Sequence, residues 1–133
     1  MPLFKLAGKP PKQLGVQSGR LRPSGSKPNC VCSYETTGYA AIKPISIAGG
    51  DANAVMQKLK SALESTPGIK VVTIDGDYLH AEATTPTLGF VDDLEFLVNT
   101  EANQIHLRSQ SRLGYSDMGQ NRKRIEAVRR QMA

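Results

Sequence analysis

Side chains that could carry out chemistry are concentrated in two segments near the end of the chain. FVDDLEF (90–96) holds three carboxylates, and RSQSRLGYSDMGQN (108–121) holds two arginines, three serines, a tyrosine, an aspartate and an asparagine ahead of a basic helix. Carboxylates opposite guanidinium groups can bind a ligand of mixed charge, or they can join two strands as ion pairs. A site, if there is one, is therefore expected where these two segments meet.

The charges of the two segments are predicted to face each other across the last β-hairpin. If residues 100–103 form the turn, Glu95 lies opposite Arg108 and Asp93 lies opposite Gln110. Cross-strand pairs of opposite charge contribute about 0.2–1 kcal/mol each. A shift by one residue would place Arg108 in the core, so the hydrophobic and charge patterns favour the same register.

This register predicts carboxylate and guanidinium groups on the sheet face away from the helices. The face is either a solvated ladder that fixes the register or a concave polar surface for an anionic or zwitterionic ligand. If the N-terminal residues 1–29 cover it, Arg108 and Arg112 become buried struts instead.

The other face of the hairpin also carries polar residues near the start of the last helix. Asp92, Ser109 and Ser111 point toward the core there, and a buried carboxylate needs hydrogen-bond donors. Serine and tyrosine hydroxyls and the backbone amides of residues 114–119 are the expected donors. Asp92 either ties the strand to the helix or contributes to a pocket.

The order of elements predicts an α+β fold, an antiparallel sheet of about five strands with two helices on one face. Residues 52–65 and 120–132 have the apolar spacing of helices, and Asp75-Gly76 is typical of a hairpin. Pro44 places the first strand at an edge or a bulge. The β-α-β-β-β-β-α order is that of the TATA-binding-protein-like fold, which unrelated proteins share and which carries no function. The predicted strands are 38–47, 70–75, 77–84, 91–99 and 104–112.

The composition of the 133-residue chain predicts a single α+β domain (30–133) behind an extended basic arm (1–29). The arm holds five of the eight prolines and no acidic residue, whereas residues 31–120 hold eleven acidic residues and six basic ones. No apolar run approaches the ~20 residues of a membrane-spanning helix. Two cysteines separated by one residue bridge only with strain, so reduced thiols and a cytoplasmic location are expected.

Three motifs resemble a known family: PNCVCS (28–33), FVDDLEF (90–96) and RSQSRLGYSDMGQNRKRIEAVR (108–129). They are similar to an uncharacterised family of bacteria and plastids known as domain of unknown function 1499, and the likeness spans about residues 14–131. The resemblance implies no activity, because the family has none established. The motif positions it implies are Pro28, Asn29, Cys30, Asp92, Asp93, Glu95, Arg108, Ser109, Ser111, Arg112, Gly114, Tyr115, Asp117, Asn121 and Arg122.

The chain departs from the family pattern beside the cysteine. The family reads PNCVSS where this chain has Cys32, and many members carry a further cysteine upstream of Asn29, where this chain reads RPSGSKPN. A role that needs a cysteine pair upstream of Asn29 is therefore not expected.

A cysteine-dependent enzyme is one alternative function. Cys30 would be the nucleophile and His80 or His106 its base. His106 is predicted near the hairpin turn, far from the motifs, and His80 has no evident carboxylate to orient it. Cys30 can equally be a small residue packed where the arm joins the domain, and the sequence leaves catalysis open.

Nucleic-acid binding through the basic last helix is a second alternative, limited to weak phosphate contact because aromatic residues for base stacking are scarce. Cofactor and metal binding are not predicted. The Cys-x-Cys spacing does not suit zinc, and neighbouring carboxylates of Asp92-Asp93-x-Glu95 point to opposite faces. Phosphate-loop and dinucleotide fingerprints are missing from the sequence.

The favoured function is a small binding or assembly module that recognises a polar or anionic small ligand, or a protein partner, through the 90–96 and 108–122 motifs. The predicted ligand-binding residues are Cys30, Asp92, Asp93, Glu95, Arg108, Ser109, Ser111, Arg112, Tyr115, Asp117, Asn121 and Arg122.

Overall fold

The structure, a computed structural model, describes residues 8–9, 11, 13–86, 88–114 and 117–133. Six strands and two helices are formed by these residues. The elements are β1 (Cys30–Cys32), β2 (Ile45–Ser46), α1 (Ala52–Glu64), β3 (Ile69–Asp75), β4 (Tyr78–Thr84), β5 (Val91–Asn99), β6 (Gln104–Ser111) and α2 (Gln120–Met132).

All strand pairs are antiparallel, in the order β1-β6-β5-β4-β3, and β2 pairs with β6 beyond the end of β1. The predicted α+β fold is therefore confirmed, with one more strand than expected. The extra strand is β1, which is formed by the PNC motif and pairs Cys30 with Gln110 and Cys32 with Arg108.

The first predicted strand, 38–47, is reduced to β2. Pro44 directly precedes β2 and cannot donate to a ladder. The carbonyl groups of Lys43 and Pro44 accept instead from Arg129 of α2, at 2.7 and 2.9 Å. The Arg129 side chain thus satisfies two backbone carbonyl groups that would have accepted from a neighbouring strand if 38–47 had formed a full strand.

Both helices are confirmed almost to the residue. Asp51 caps α1 by accepting from the amide of Ala54 at 3.0 Å, and Pro67 and Gly68 follow its end. The apolar faces of the two helices pack on one side of the sheet, where they form a single core. Its buried helical residues are Val55, Met56, Leu59, Ala62, Leu63, Ile125, Val128 and Met132.

The predicted register of the last hairpin is confirmed in full. Glu95 pairs with Arg108 and Asp93 with Gln110, and residues 100–103 make the turn. The β3–β4 hairpin differs slightly from the prediction, because Asp75 pairs with Tyr78 and the loop is Gly76-Asp77. Only the glycine of this loop has a positive φ, of 60°.

Candidate functional site

The centre of the polar sheet face is a buried ion pair between β5 and β6. Arg108 is 1% exposed, and its Nη1 lies 3.6 Å from Oε1 of Glu95, which is too far for a hydrogen bond. The other carboxylate oxygen, Oε2, accepts from the Tyr78 hydroxyl and from the Gly15 amide, both at 2.7 Å. Burial, followed by the neighbouring Glu95 carboxylate, raises the pKa of Tyr78. Tyr78 is therefore a hydrogen-bond donor at neutral pH.

A second ionic cluster surrounds Asp93. Arg112 binds this carboxylate with two hydrogen bonds, Nε to Oδ2 at 2.7 Å and Nη2 to Oδ1 at 2.9 Å, and also donates to Glu82 at 2.5 Å. Nε2 of His80 lies 2.8 Å from Oδ1 of Asp93. Burial alone would raise the pKa of Asp93, but the hydrogen bonds from Arg112 and His80 outweigh it and lower the pKa. The expectation that His80 lacks a carboxylate partner was wrong.

Residues between Gly15 and Pro23 lie against this polar face. Besides the Gly15 contact, the Pro23 carbonyl accepts from Arg108 at 3.3 Å, and Arg22 donates to Gln110 at 3.4 Å. Leu21 is buried beside Tyr34, whose hydroxyl accepts from its amide at 3.3 Å. The polar face is therefore neither a solvated ladder nor an open concave surface. The Arg108 and Arg112 side chains are buried in it and form internal ion pairs.

The core side of the hairpin end is tied to α2 by a different donor than expected. Asp92 is paired with Arg124 in an ion pair that is almost completely buried. The expected donors were hydroxyls and backbone amides, and Arg124 was not among them. Arg124 directly precedes Ile125 and therefore lies at the edge of the apolar face of α2. This position was the sequence signal that its side chain could reach the sheet.

Asn121 connects four segments at the start of α2. Its Oδ1 accepts from Ser109 at 2.5 Å, and its Nδ2 lies 3.0 Å from Ser111 Oγ, 3.2 Å from the Asn29 carbonyl and 2.7 Å from Asp117 Oδ2. The side chain is fully buried. The PNC motif, β6 and α2 are therefore held together by one amide.

Asp117 caps α2 from the loop before it. Its carboxylate accepts from the amides of Gly119 and Asn121, at 2.9 and 3.1 Å, and from the Tyr39 hydroxyl. Burial opposes ionisation, but these hydrogen bonds prevail and lower the pKa of Asp117. Asp117 thus stabilises the start of the helix as an anion.

The predicted site residue Arg122 does not join these clusters. Arg122 donates to the Tyr39 carbonyl at 2.5 Å and lines a separate groove of about 650 Å³ with Ile42 and Arg129. Tyr115 lies outside the described residues.

Cys30 lies in β1 with no exposed surface. Burial raises its pKa to about 11, although the nearby Arg108 opposes the shift. Among the described side chains, His80 is bonded to Asp93, and His106 lies 2.9 Å from Ser33 Oγ and stacks on Tyr34. Neither contact activates the thiol.

Cys30 is therefore expected to resist alkylation in the folded protein. In a Cys32→Ser variant, which leaves one thiol, iodoacetamide at pH 7.5 should react about a hundredfold more slowly than with the same protein in urea, because both access and thiolate are lacking. Mass spectrometry of timed samples measures this ratio. Equal rates in the two states would show that the thiol is accessible and contradict its burial, and a faster reaction in the folded protein would show an activated thiolate and would revive the cysteine-dependent enzyme.

One group of side chains on β4 and β5 has the composition of a metal site. His80, Glu82 and Asp93 can each offer one ligand atom, and these atoms lie within 4.8 Å of one another. This combination across two strands could not be found from the Cys-x-Cys spacing or from the carboxylates within β5. Arg112 binds both carboxylates here, so a cation would first have to displace its guanidinium group.

Two cavities flank the segment that follows β6. A polar cavity of about 520 Å³ is lined by residues that include Lys27, Asn29, Gln110, Ser111 and Arg112. An apolar cavity of about 330 Å³ lies on the other side. Both cavities adjoin the 108–114 part of the motif.

The wall of the polar cavity contains a buried acceptor, Asn29 Oδ1, to which none of the described residues donates. Asn29 donates through Nδ2 to the Gly114 carbonyl at 3.1 Å, which orients the amide. Its Oδ1 has no hydrogen-bond donor among the described residues. Such an atom costs about 1–3 kcal/mol when it stays unpaired.

The fold and these contacts define a small α+β domain whose shared motifs build its internal polar framework. The chain belongs to the family described as "Protein of unknown function (DUF1499)", whose model matches residues 20–132. No curated protein matches the chain. Within the described part of the chain, the helices are too short or too polar to cross a bilayer.

Proposed function

We propose that this protein is a small binding module that holds a polar, anionic ligand in the cavity beside Lys27, Asn29 and Ser111. The observation that carries the proposal is this cavity, because it brings the PNC motif and the 108–114 motif together at the protein surface. The motif side chains of Glu95, Arg108 and Asn121, in contrast, are buried and engaged in contacts within the protein.

The charge of the cavity favours an anion. Lys27 is exposed, and no ion pair to it is formed within the described residues. The carboxylate of Asp93, which is bound by the cavity residue Arg112, is already neutralised by this contact. An anionic group that enters the cavity therefore meets one unpaired cation and the hydroxyl of Ser111, with no unpaired carboxylate opposing it.

The unpaired Asn29 acceptor favours a ligand that also carries a donor. Its Oδ1 is covered in this structure by its surroundings, and the adjoining residues Gly25, Ser26 and Lys27 are exposed. A small movement of this loop gives a ligand ammonium or hydroxyl group access to the acceptor. The favoured ligand class is thus a small anion with a hydrogen-bond donor, for which phosphoethanolamine is a suitable probe.

Isothermal titration of the full chain with phosphoethanolamine tests the proposal. Lys27→Met should weaken binding about tenfold or more, roughly 1.4 kcal/mol, because it removes the cation, whereas Lys27→Arg should retain most of it. Lys70→Met is the matched control, since Lys70 is an exposed lysine on β3 at the opposite edge of the sheet. Equal affinity of the wild type and Lys27→Met, or no binding of phosphoethanolamine or phosphate to the wild type, would overturn the proposal.

The contacts of α2 count against nucleic-acid binding as the main function. Arg122, Arg124 and Arg129 each donate to acceptors within the protein. Lys123 and Arg130 remain exposed, so the helix offers two free cations for phosphates. We also propose a cytoplasmic location, which both free cysteines support.

A further inference from the structure

The polar and apolar cavities share one wall. Ser111, Leu113 and Gly114 line both of them, so the two cavities lie side by side along the segment that leaves β6. The polar cavity presents Lys27 and Gln110, whereas Phe90, Leu113 and Met118 contribute apolar surface to the other. A ligand that crosses the shared wall would meet a polar environment at one end and an apolar one at the other.

The apolar cavity belongs to an exposed hydrophobic patch. Met118 is 91% exposed and Leu113 is 43% exposed, and Leu88, in the loop that brings Thr85 and Phe90 to the cavity, is 39% exposed. Single exposed hydrophobic residues are common, but Leu113 and Met118 both line the same cavity, which indicates a binding surface. Water contact with this patch is unfavourable, and a bound alkyl chain would relieve it.

The acidic residues of the apolar cavity do not oppose such a ligand. Asp92 is paired with Arg124, and Asp117 accepts from Tyr39 and from the first amides of α2. The charges of both carboxylates are therefore compensated within the protein. The 330 Å³ of this cavity are sufficient for part of an alkyl chain and too small for a folded partner.

We propose that the ligand is a single-chain amphiphile, with its anionic headgroup in the polar cavity and its alkyl chain over Leu113 and Met118. This inference rests on the proposed function, because the polar cavity supplies the headgroup site. It adds that the alkyl chain makes a separate contribution to affinity, and that Leu113 and Met118 provide it.

The test compares phosphoethanolamine with 1-lauroyl lysophosphatidylethanolamine, kept below the concentration at which it forms micelles. The lauroyl compound should bind the full chain at least tenfold more tightly. Met118→Ser and Leu113→Ser should remove most of this gain, and Met118→Ser should leave the affinity for phosphoethanolamine unchanged. Val72→Ser is the matched control, because Val72 is 47% exposed and lies on β3, away from both cavities.

The outcomes separate the two proposals. Equal affinity for both compounds overturns the amphiphile and leaves the polar site standing. A chain-dependent gain that is the same in Met118→Ser, Leu113→Ser and Val72→Ser overturns the assigned alkyl site. Binding of dodecyl maltoside as tight as that of the lauroyl compound, unaffected by Lys27→Met, shows that no headgroup is recognised and overturns both proposals.

Discussion

Asp93→Asn is expected to lower the free energy of unfolding by about 3–5 kcal/mol at pH 7, the usual cost of removing one partner from a buried ion pair. Asp93 is buried and accepts two hydrogen bonds from Arg112 and one from His80. An asparagine would keep the shape but would leave the guanidinium charge without a counter-ion and turn an amide donor toward it. Urea denaturation measures the change, with Asp77→Asn, on the exposed β3–β4 loop, as the matched control.

The same variant has a defined pH dependence. The pKa of Asp93 in the folded protein lies below its ordinary value of 3.8. Its ionised form therefore contributes full stability above about pH 5, and this contribution falls as the pH drops through the folded-state pKa. The difference between the wild type and Asp93→Asn should narrow below about pH 4. A constant difference from pH 7 to pH 3 would contradict an ionised Asp93.

Asn121→Asp is expected to cost a similar amount, about 3–5 kcal/mol at pH 7. The substitution keeps an acceptor for Ser109 but removes the Nδ2 donors that serve Asn29, Ser111 and Asp117. It also places a second carboxylate where a donor now lies 2.7 Å from Asp117. Two carboxylates in such contact cannot both ionise without a large penalty.

Gln131→Glu separates this effect from a simple change of net charge, because Gln131 is exposed near the other end of the same helix. It should change the free energy of unfolding by less than about 0.5 kcal/mol. Thermal and urea unfolding of both variants provide the comparison. If Asn121→Asp were no worse than Gln131→Glu, the amide would not connect the motifs as the structure indicates.

Local rules were sufficient for the helices and for the last hairpin. The four-residue turn, the apolar pairs and the Glu95–Arg108 charge pair all require the same register, and each rule involves residues close in sequence. The apolar spacing of α1 and α2 predicted the faces that are buried. Chain-local patterns thus determined most of the fold.

Contacts between segments that lie far apart in the sequence were not predictable in the same way. His80 meets Asp93 because β4 and β5 pair in a particular register, and the loop from Thr85 to Phe90 is too long to fix that register from sequence. The strand β1 has only three residues, so it carries no periodic signal, and its partner β6 lies about 80 residues further along the chain. The Asp92–Arg124 pair needs the packing of helix on sheet before it can be recognised.

The candidate site was only partly predictable for the same reason. Sequence patterns pointed to the end of β6, and Ser111, Arg112 and Gly114 line a cavity there. Lys27 and Asn29 reach that cavity only because β1 adds to β6, which no local pattern reveals. Whether the polar sheet face is open was likewise decided by the arm, whose contacts depend on individual backbone groups such as the Gly15 amide and the Pro23 carbonyl.

The pairing of β1 with β6 has a consequence for how the protein is made. Translation delivers residues 15–32 before β5, β6 and α2, which carry the groups that bind them. If residues 30–32 docked before the β5–β6 hairpin formed, a loop of about 80 residues would be closed. This closure has an entropic cost that no contact would yet compensate. We therefore expect residues 13–32 to dock after β5, β6 and α2 have formed.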